Sequence, residues 1–432
     1  MNTPGRRSRP RRRAEAAAPA PSLRAGATPA EIAAGCYEKI ALVLQGGGAL
    51  GGYQAGVYEA LHGAGLRPDW FAGVSIGAIN AAILAGNEEG VRVERLRTFW
   101  DTISRPAGPF GGSLPWLNQL VEALPLGAGT AGTPFGTAFD EARLAWLGAA
   151  SAVGALLQGQ QGFFQSRTLS PFLFRDGSAA ATSFYDVAPL KQTLERLVDF
   201  DRINSGATRL SVGAVNVRTG NVVYFDSRQT VLRAEHIMAS GALPPAFPAV
   251  EIDGEHYWDG GVVSNTPLQY VLSDLPRADT LALQVDLWSA SGTLPQTVFD
   301  VLERQKDIQY SSRTRLGTDT MARLQKLRAA LRELIDRAGA DALPAATMEH
   351  LQPWICDRVY NIIHLIYRAK PHEEQYKDYA FGPIAMRDHW QSGFDDMCRT
   401  LAHAEYFVPP SREQTVVTHD VHRDEFVPRR RR

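Results

Sequence analysis

The amino-acid sequence predicts an α/β fold: a three-layer sandwich with a mostly parallel central sheet, followed by an α-rich C-terminal extension. Two apolar runs, each followed by a helical pattern, lead to this prediction. The short apolar run IALVL (40–44) ends in glycines and precedes a helical pattern, AGVYEAL (55–61). A second run, WFAGV (70–74), is followed in the same way by IGAINAAILAG (76–86), which indicates a buried helix. Strand, tight turn and helix in succession are typical of helices packed on a parallel sheet.

Further elements follow along the chain. Strands are predicted at 210–217, 222–225, 256–258, 281–287 and 361–368. Apolar residues at helical spacing, with charged residues between them, predict an amphipathic helix with a buried face. They are Met321, Leu324, Leu327, Leu331, Leu334 and Ile335. Another helix is predicted at 385–402.

The composition suggests four segments. Residues 1–36, rich in Arg, Ala and Pro, are expected to form a disordered tail, and residues 37–290 an α/β domain. Within that domain, residues 106–165 are expected to be a Gly- and Pro-rich insertion, either an irregular surface excursion or a lid. Residues 291–432 form the C-terminal extension, to which the sequence assigns no role.

The charge distribution narrows the choice of partners. The 432 residues include 45 Lys and Arg against 46 Asp and Glu, but seven Arg lie in the first 30 residues and the last four are all Arg. The body is therefore acidic and the ends are basic, which argues against a nucleic-acid-binding surface. We expect the basic ends to attract anionic membranes at the periphery.

The expected location is the cytoplasm. No run reaches the 18 apolar residues of a membrane span, and the start lacks the apolar core of a secretory signal. Twin-arginine export and organelle import are alternatives for the Arg-rich start, but their supporting segments are missing. The three Cys, at 36, 356 and 398, fit neither a zinc site nor a disulfide scaffold, so we expect a reducing compartment and no metal.

The first candidate for chemistry is the loop GGGALGG (46–52), between an apolar strand and a helix. Glycines let backbone N–H groups turn inward, and the helix N-terminus adds positive potential, so the loop can hold an anion. The loop also fits the dinucleotide pattern G-x-G-x-x-G. That alternative needs an acid at the end of the second strand, and Asp69 stands before that strand instead.

The second candidate, GVSIG (73–77), ends the next strand and opens the next helix. This is the context of a nucleophile elbow, in which small neighbours permit a sharp turn that lifts the Ser75 hydroxyl above the sheet. A chance match in a glycine-rich chain is the alternative. The glycine loop and Ser75 on adjacent strands suit acyl transfer, with the loop N–H groups receiving the oxyanion.

A serine needs a base to accept its proton. The segment WDGG (258–261) supplies Asp259 at a strand end, although an ordinary Asp-Gly turn is an equally good interpretation. Histidine titrates nearer neutral pH and is chemically the easier base. However, none of the histidines at positions 62, 236 and 256 lies in a turn that favours a role as catalytic base. The histidines at 403, 419 and 422 lie outside the α/β core and show no metal-ligand pattern.

With GGGALG, GVSIG and WDGG in this order, residues 38–290 resemble the patatin-like phospholipase family, in a bacterial form with a C-terminal extension. The segments VGAVNVRTG and ASGALPPAFP add to the resemblance. It implies a Ser-Asp catalytic dyad without histidine: Ser75 as nucleophile, Asp259 as base, and Gly46, Gly47 and Gly48 as the oxyanion loop. The chain departs from the family at Leu50, where many members carry Arg or Lys, and at Gln45, where plant members carry Asp.

The resemblance implies a serine acyl hydrolase of the phospholipase A or lipid esterase type, acting on a phospholipid or another acyl ester without cofactor or calcium. Two alternatives remain: an acyltransferase that uses the same dyad, and a non-catalytic lipid-binding scaffold. The sequence does not specify the acyl chain, head group, positional preference or oligomeric state.

Overall fold

The computed structural model describes residues 26–105, 134–312, 314–339, 343–370, 373 and 376–420. The α-helices in this part of the chain are α1 Pro29–Cys36, α2 Gly52–Gly63, α3 Ile76–Ala85, α4 Arg92–Ile103, α5 Pro134–Gln158, α6 Ala179–Thr182, α7 Ala188–Leu197, α8 Phe200–Asn204, α9 Ala234–Ser240, α10 Leu268–Leu272, α11 Val298–Tyr310, α12 Thr314–Ala338, α13 Ala345–Leu351 and α14 Pro383–Leu401. The strands are β1 Lys39–Leu44, β2 Trp70–Val74, β3 Gly159–Gln160, β4 Phe164–Ser166, β5 Tyr185–Asp186, β6 Arg209–Asn216, β7 Val222–Asp226, β8 Val250–Ile252, β9 Glu255–Asp259, β10 Thr280–Asp286, β11 Tyr360–Ile366 and β12 Val416–Asp420.

Within the described residues, nine strands form the central sheet, in the order β12-β11-β10-β1-β2-β6-β9-β8, with β7 also paired to β6. The six strands from β12 to β6 are parallel, whereas β7, β8 and β9 are joined by antiparallel pairs. Strands β3, β4 and β5 make a separate small antiparallel sheet. The mostly parallel sheet predicted from the sequence is therefore confirmed.

Helices cover both faces of the central sheet. Along β1, Leu42 and Leu44 belong to one buried cluster and Ala41 and Val43 to another, because successive residues of a strand point to opposite faces. Helices α2, α3, α4 and α14 contribute to the first cluster, and α10 and α12 to the second. The strands read as continuous apolar runs because neither face meets water. This is the predicted three-layer sandwich.

Several predictions about the segments need correction. Residues 29–36 form helix α1 rather than the end of a disordered tail; Thr28 caps this helix and Pro29 begins it. Much of the predicted insertion is regular, because the Ala-rich stretch 134–158 is the long helix α5. Residues 1–25, 106–133 and 421–432 lie outside the described residues, as do the predictions made for them.

The C-terminal region contains the two predicted helices, α12 and α14, and the predicted strand at 361–368. That strand, β11, pairs with β10, and β12 pairs with β11, so the region adds two strands to the central sheet. On α12, Met321 and Ile335 are buried as predicted, but Leu327 and Leu334 are more than 60% exposed. Among the described residues, no helix combines the length and the apolar content that a bilayer crossing requires.

Helix α14 packs closely against α2, the helix that follows the glycine loop. A Cβ atom on Gly393 would overlap the backbone of Tyr53. We therefore expect Gly393→Ala to lower the free energy of unfolding by about 1–3 kcal/mol, the usual cost of forcing an extra carbon into a packed interface. Urea unfolding of the two proteins measures this difference. Gly63→Ala in α2 is the control, because a Cβ there meets nothing within 4 Å; equal losses in the two variants would contradict the prediction.

Candidate active site

The strand order brings three distant segments to one end of the sheet. The glycine loop follows β1, and Ser75 follows the neighbouring strand β2. Strands β2 and β9 lie end to end along the same edge of β6, opposite β7: Val74 pairs with Gly213, and Asp259 pairs with the next residue, Ala214. Ser75 and Asp259 are 184 positions apart in the sequence, yet Asp259 and Val74, the residue before Ser75, pair with consecutive residues of the same strand.

Ser75 stands in the sharp turn that the sequence predicts. Its φ of 56° and ψ of −126° are sparsely populated by residues other than glycine, and it immediately precedes helix α3. A side chain on Gly73 would overlap Gly77, and one on Gly77 would overlap the backbone of Leu44. The glycines on either side of Ser75 are therefore required by the turn.

A second serine fixes this turn. The Ser75 N–H donates to the backbone oxygen of Ser240 and to its hydroxyl, each at 3.0 Å. The Ser240 hydroxyl in turn donates to the Gly213 carbonyl at 2.6 Å, and the side chain is fully buried. Ser240 thus ties the Ser75 backbone to strand β6.

The Asp259 carboxylate lies beside Ser75, almost without water. Asp259 is 2% exposed, and its carboxylate accepts a hydrogen bond from the Gly261 N–H at 2.7 Å; the neighbouring Ser75 hydroxyl also stabilises the charged form. Burial raises the pKa of Asp259 to about 7, because removal of water disfavours the charged form by more than these two donors stabilise it. A carboxyl group with this pKa can accept and return a proton near neutral pH.

The glycine loop differs from the prediction at one position. The Gly46 N–H donates to the Asn265 carbonyl at 3.2 Å, so it is not free to bind an oxyanion. In the part of the chain that the structure describes, no hydrogen bond uses the N–H of Gly47 or Gly48. A Cβ on Gly46 would lie 3.0 Å from the Ser75 Cβ, which shows how closely the loop approaches Ser75.

Gln45 explains one departure from the family pattern. Its Oε1 accepts from the N–H groups of Leu287 and Trp288, at 2.6 and 3.0 Å. Its Nε2 donates to the Thr266 hydroxyl at 2.9 Å and to the Tyr310 carbonyl at 3.0 Å. A carboxylate could accept but not donate, and it would leave the Tyr310 carbonyl without this donor.

Ser75, Asp259 and the three glycines line one pocket, whose empty volume of about 810 Å³ is partly open to solvent. Most of the remaining wall is apolar or aromatic. These residues are Ile76, Ile79, Leu156, Phe163, Phe164, Tyr185, Leu243, Ala246, Phe247, Trp288, Tyr310, Tyr379 and Phe381. Such a wall suits an apolar acyl chain, and the polar groups are concentrated around Ser75.

No histidine of the described residues lines this pocket. His236 is buried, and its Nδ1 accepts the Arg233 N–H at 3.0 Å, so it caps helix α9; burial lowers its pKa. His256 is exposed on β9. These positions favour Asp259 over a histidine as the partner of Ser75.

The geometry also argues against the dinucleotide alternative. Asp69 precedes β2, and its carboxylate accepts the N–H of Ile40, near the start of β1, at 3.2 Å. It therefore lies at the opposite end of these strands from the glycine loop. Among the described residues, no group of three or more His, Cys, Asp or Glu side chains could hold a metal ion.

Sequence reasoning missed the residues that support the site. Ser240 and Asn265 contact Ser75 and Gly46 through the backbone, and Asp378 lines the pocket from the C-terminal region. Their residue types are common in loops and carry no spacing signal. Ser240 lies in the segment ASGALPPAFP, which contributes to the family resemblance but has no role assigned to it from the sequence.

The chain is similar to known proteins over most of its length. The profile of the patatin-like phospholipase family matches residues 42–272, and a second profile, described as patatin phospholipase, matches residues 308–413. Among solved structures, VipD from Legionella pneumophila is similar, with a TM-score of 0.37 and 15% identity over 90% of this chain and 73% of that chain. No curated protein matches the chain.

The Asp259 pKa predicts how Asp259→Asn changes stability with pH. Between pH 3.8, the ordinary aspartate value, and about 7, the folded chain holds a proton that the unfolded chain releases, so wild-type stability falls as the pH rises through this range. Asparagine does not titrate and can still accept from Gly261. We expect the variant's gain in melting temperature over wild type to grow from pH 4 to 7 and then level off.

Thermal unfolding at several pH values measures this gain. Asp253→Asn is the control, because the Asp253 side chain is 82% exposed. A difference between Asp259→Asn and wild type that did not change with pH would show that Asp259 titrates normally.

Proposed function

Because the chain belongs to the patatin-like phospholipase family, we propose that it is a serine acyl hydrolase that cleaves a lipid acyl ester, with Ser75 as nucleophile and Asp259 as base. Family membership supports lipid acyl hydrolase activity in general. The observation that carries the finer proposal is that the Ser75 hydroxyl lies in one pocket with a buried carboxylate whose pKa is about 7, and helps to stabilise its charged form.

The proposed reaction has two halves. In the first, Asp259 accepts the Ser75 proton while the serine oxygen attacks the ester carbonyl carbon. The bond to the leaving alcohol then breaks, the alcohol takes the proton from Asp259, and the acyl group remains on Ser75. In the second half, Asp259 accepts a proton from water, the resulting hydroxide attacks the acyl-serine, and Ser75 recovers its proton as the free acid leaves.

The negative charge that develops on the carbonyl oxygen needs donors. We assign this role to the N–H groups of Gly47 and Gly48, since the Gly46 N–H is bound to Asn265. The N–H of Ile76 is a further candidate, because it begins helix α3 and lines the same pocket. Leu50 is buried and supplies no charge, so backbone dipoles carry this stabilisation.

Substitution at either proposed residue should abolish turnover. We expect Ser75→Ala and Asp259→Asn to lower kcat by at least about a thousandfold, because each removes a group that takes part in every step. The assay measures free acid from phospholipids, lysophospholipids, acylglycerols and 4-nitrophenyl esters, with and without an added alcohol acceptor. A fluorophosphonate should label wild type and not Ser75→Ala.

Circular dichroism confirms that each variant is folded. Near-normal activity of Asp259→Asn, together with loss of activity on replacing His236 or His256, would replace the dyad by a triad. An unlabelled, inactive wild-type protein would favour the non-catalytic scaffold.

The pH dependence of kcat/KM should report the Asp259 ionisation. Since only the charged carboxylate can accept the Ser75 proton, kcat/KM should rise about tenfold per pH unit below pH 7 and level off above it. Rates for 4-nitrophenyl butyrate across pH 5–9 measure this profile. A carboxyl midpoint shifts little with temperature, whereas a midpoint that moves strongly with temperature would indicate an imidazole base instead.

A further inference from the structure

The C-terminal region binds the glycine loop at one residue, Ala49, which directly follows Gly48. The Ala49 N–H donates to the backbone carbonyl of Asp378 at 2.9 Å. The Ala49 carbonyl lies 3.2 Å from the Nδ1 of His389, on helix α14. Both polar backbone groups of Ala49 are therefore engaged by residues more than 300 positions away.

The Asp378 backbone is held in place through its own side chain. Lys306, on helix α11, donates to both carboxylate oxygens of Asp378, at 2.8 and 3.0 Å, and the Asp378 side chain is 12% exposed. Burial raises the pKa of Asp378, while the adjacent Lys306 ammonium opposes this shift. The carbonyl also lies so close to Gly48, which has a φ of +56°, that a side chain there would overlap it.

His389 is held from its other side. Its Nε2 lies 2.6 Å from Glu373, which also accepts from the Tyr367 hydroxyl at 2.7 Å and the Lys370 N–H at 2.9 Å. These donors, with His389 foremost, hold the pKa of Glu373 at about 2 although burial raises it. A backbone carbonyl only accepts, so a hydrogen bond between Ala49 and His389 uses Nδ1 as the donor.

The loop is thus fixed at both ends of the two proposed oxyanion donors. Before Gly47, the Gly46 carbonyl accepts from the Asn265 side chain at 3.0 Å and from the Trp288 indole at 2.8 Å. After Gly48, Ala49 is bound by the C-terminal region. Glycines have no side chain that could hold them by packing, and they lose the most conformational freedom on ordering. The direction of the Gly47 and Gly48 N–H groups therefore depends on these anchors.

We propose that Lys306 and His389 are positioning residues that aim the glycine-loop amides at the reacting carbonyl, which gives the C-terminal region a role in turnover. The proposal rests on the acyl hydrolase function proposed above. A misaimed donor weakens binding of the oxyanion more than binding of the neutral ester, so the loss should appear in kcat rather than in KM.

Four variants test the proposal with 4-nitrophenyl butyrate. Lys306→Met removes the partner of Asp378, and Lys306→Arg restores a cation. His389→Gln keeps a donor near the Nε2 position and loses the one to Ala49, whereas His389→Asn keeps the Ala49 donor. We expect Lys306→Met and His389→Gln to lower kcat roughly tenfold, less than loss of a whole oxyanion donor, with KM within about twofold of wild type.

A second measurement separates positioning from general damage. An alkyl trifluoromethyl ketone, which becomes an oxyanion when Ser75 adds to it, should bind Lys306→Met and His389→Gln about tenfold more weakly. The matching alkyl ether, which cannot react, should bind as it does to wild type. Lys306→Arg and His389→Asn should recover most of both losses. Lys326→Met is the matched control, because Lys326 is an exposed lysine on α12.

Unchanged kcat in the folded variants would overturn the proposal. So would a rise in KM alone, or equal weakening of ketone and ether binding. A wild-type protein that neither hydrolyses the ester nor reacts with the fluorophosphonate at Ser75 would instead show that the proposed function has failed.

Discussion

The contact between the Ser75 hydroxyl and the nearly dry Asp259 carboxylate is the interaction on which the rest of the site depends. In the proposed reaction Asp259 accepts the Ser75 proton; a carboxylate in water is too weakly basic for this near neutral pH, so burial must raise its pKa. Burial without partners would be prohibitive; the Gly261 N–H donates to this carboxylate, and the Ser75 hydroxyl also stabilises its charged form. Strand β6 makes this contact possible, because the ends of β2 and β9 meet along one of its edges, where Val74 and Asp259 pair with consecutive residues.

The sequence predicts the parts of this arrangement that depend on local rules. Apolar runs followed by glycines and helical patterns predict β1, α2, β2 and α3, because a sheet covered on both faces needs continuous apolar strands. The glycines around Ser75 predict the sharp turn, and the structure shows that larger side chains would overlap the backbone there. Asp259 follows from the family resemblance rather than from its own residues, since an Asp-Gly pair is as common in ordinary turns.

The rest depends on contacts between distant segments, for which the sequence has no spacing signal. That the Gly46 N–H is occupied by Asn265, 219 positions later, can be seen only in the folded chain. Helix α11 illustrates the same limit. Its residues Val298 and Phe299 are exposed, while Lys306 and Asp307 pair with Asp378 and Lys377. An amphipathic pattern predicts that a segment is helical. It does not predict which face of the helix is buried when charged residues on that face form ion pairs with a neighbouring segment.

Residues of the C-terminal region hold the proposed oxyanion loop in position. The site includes features that oppose stability: a strained Ser75 backbone, a buried carboxylate and a run of glycines. Strands β11 and β12 extend the sheet that carries these features, and α14 packs on the helix that continues the glycine loop. Because Gly47 and Gly48 have no side chains to hold them, their order must come from neighbours, and the neighbours on one side are Asp378 and His389. In the proposed mechanism, the C-terminal region therefore acts on the chemistry through the backbone that it restrains, without contributing a reacting group.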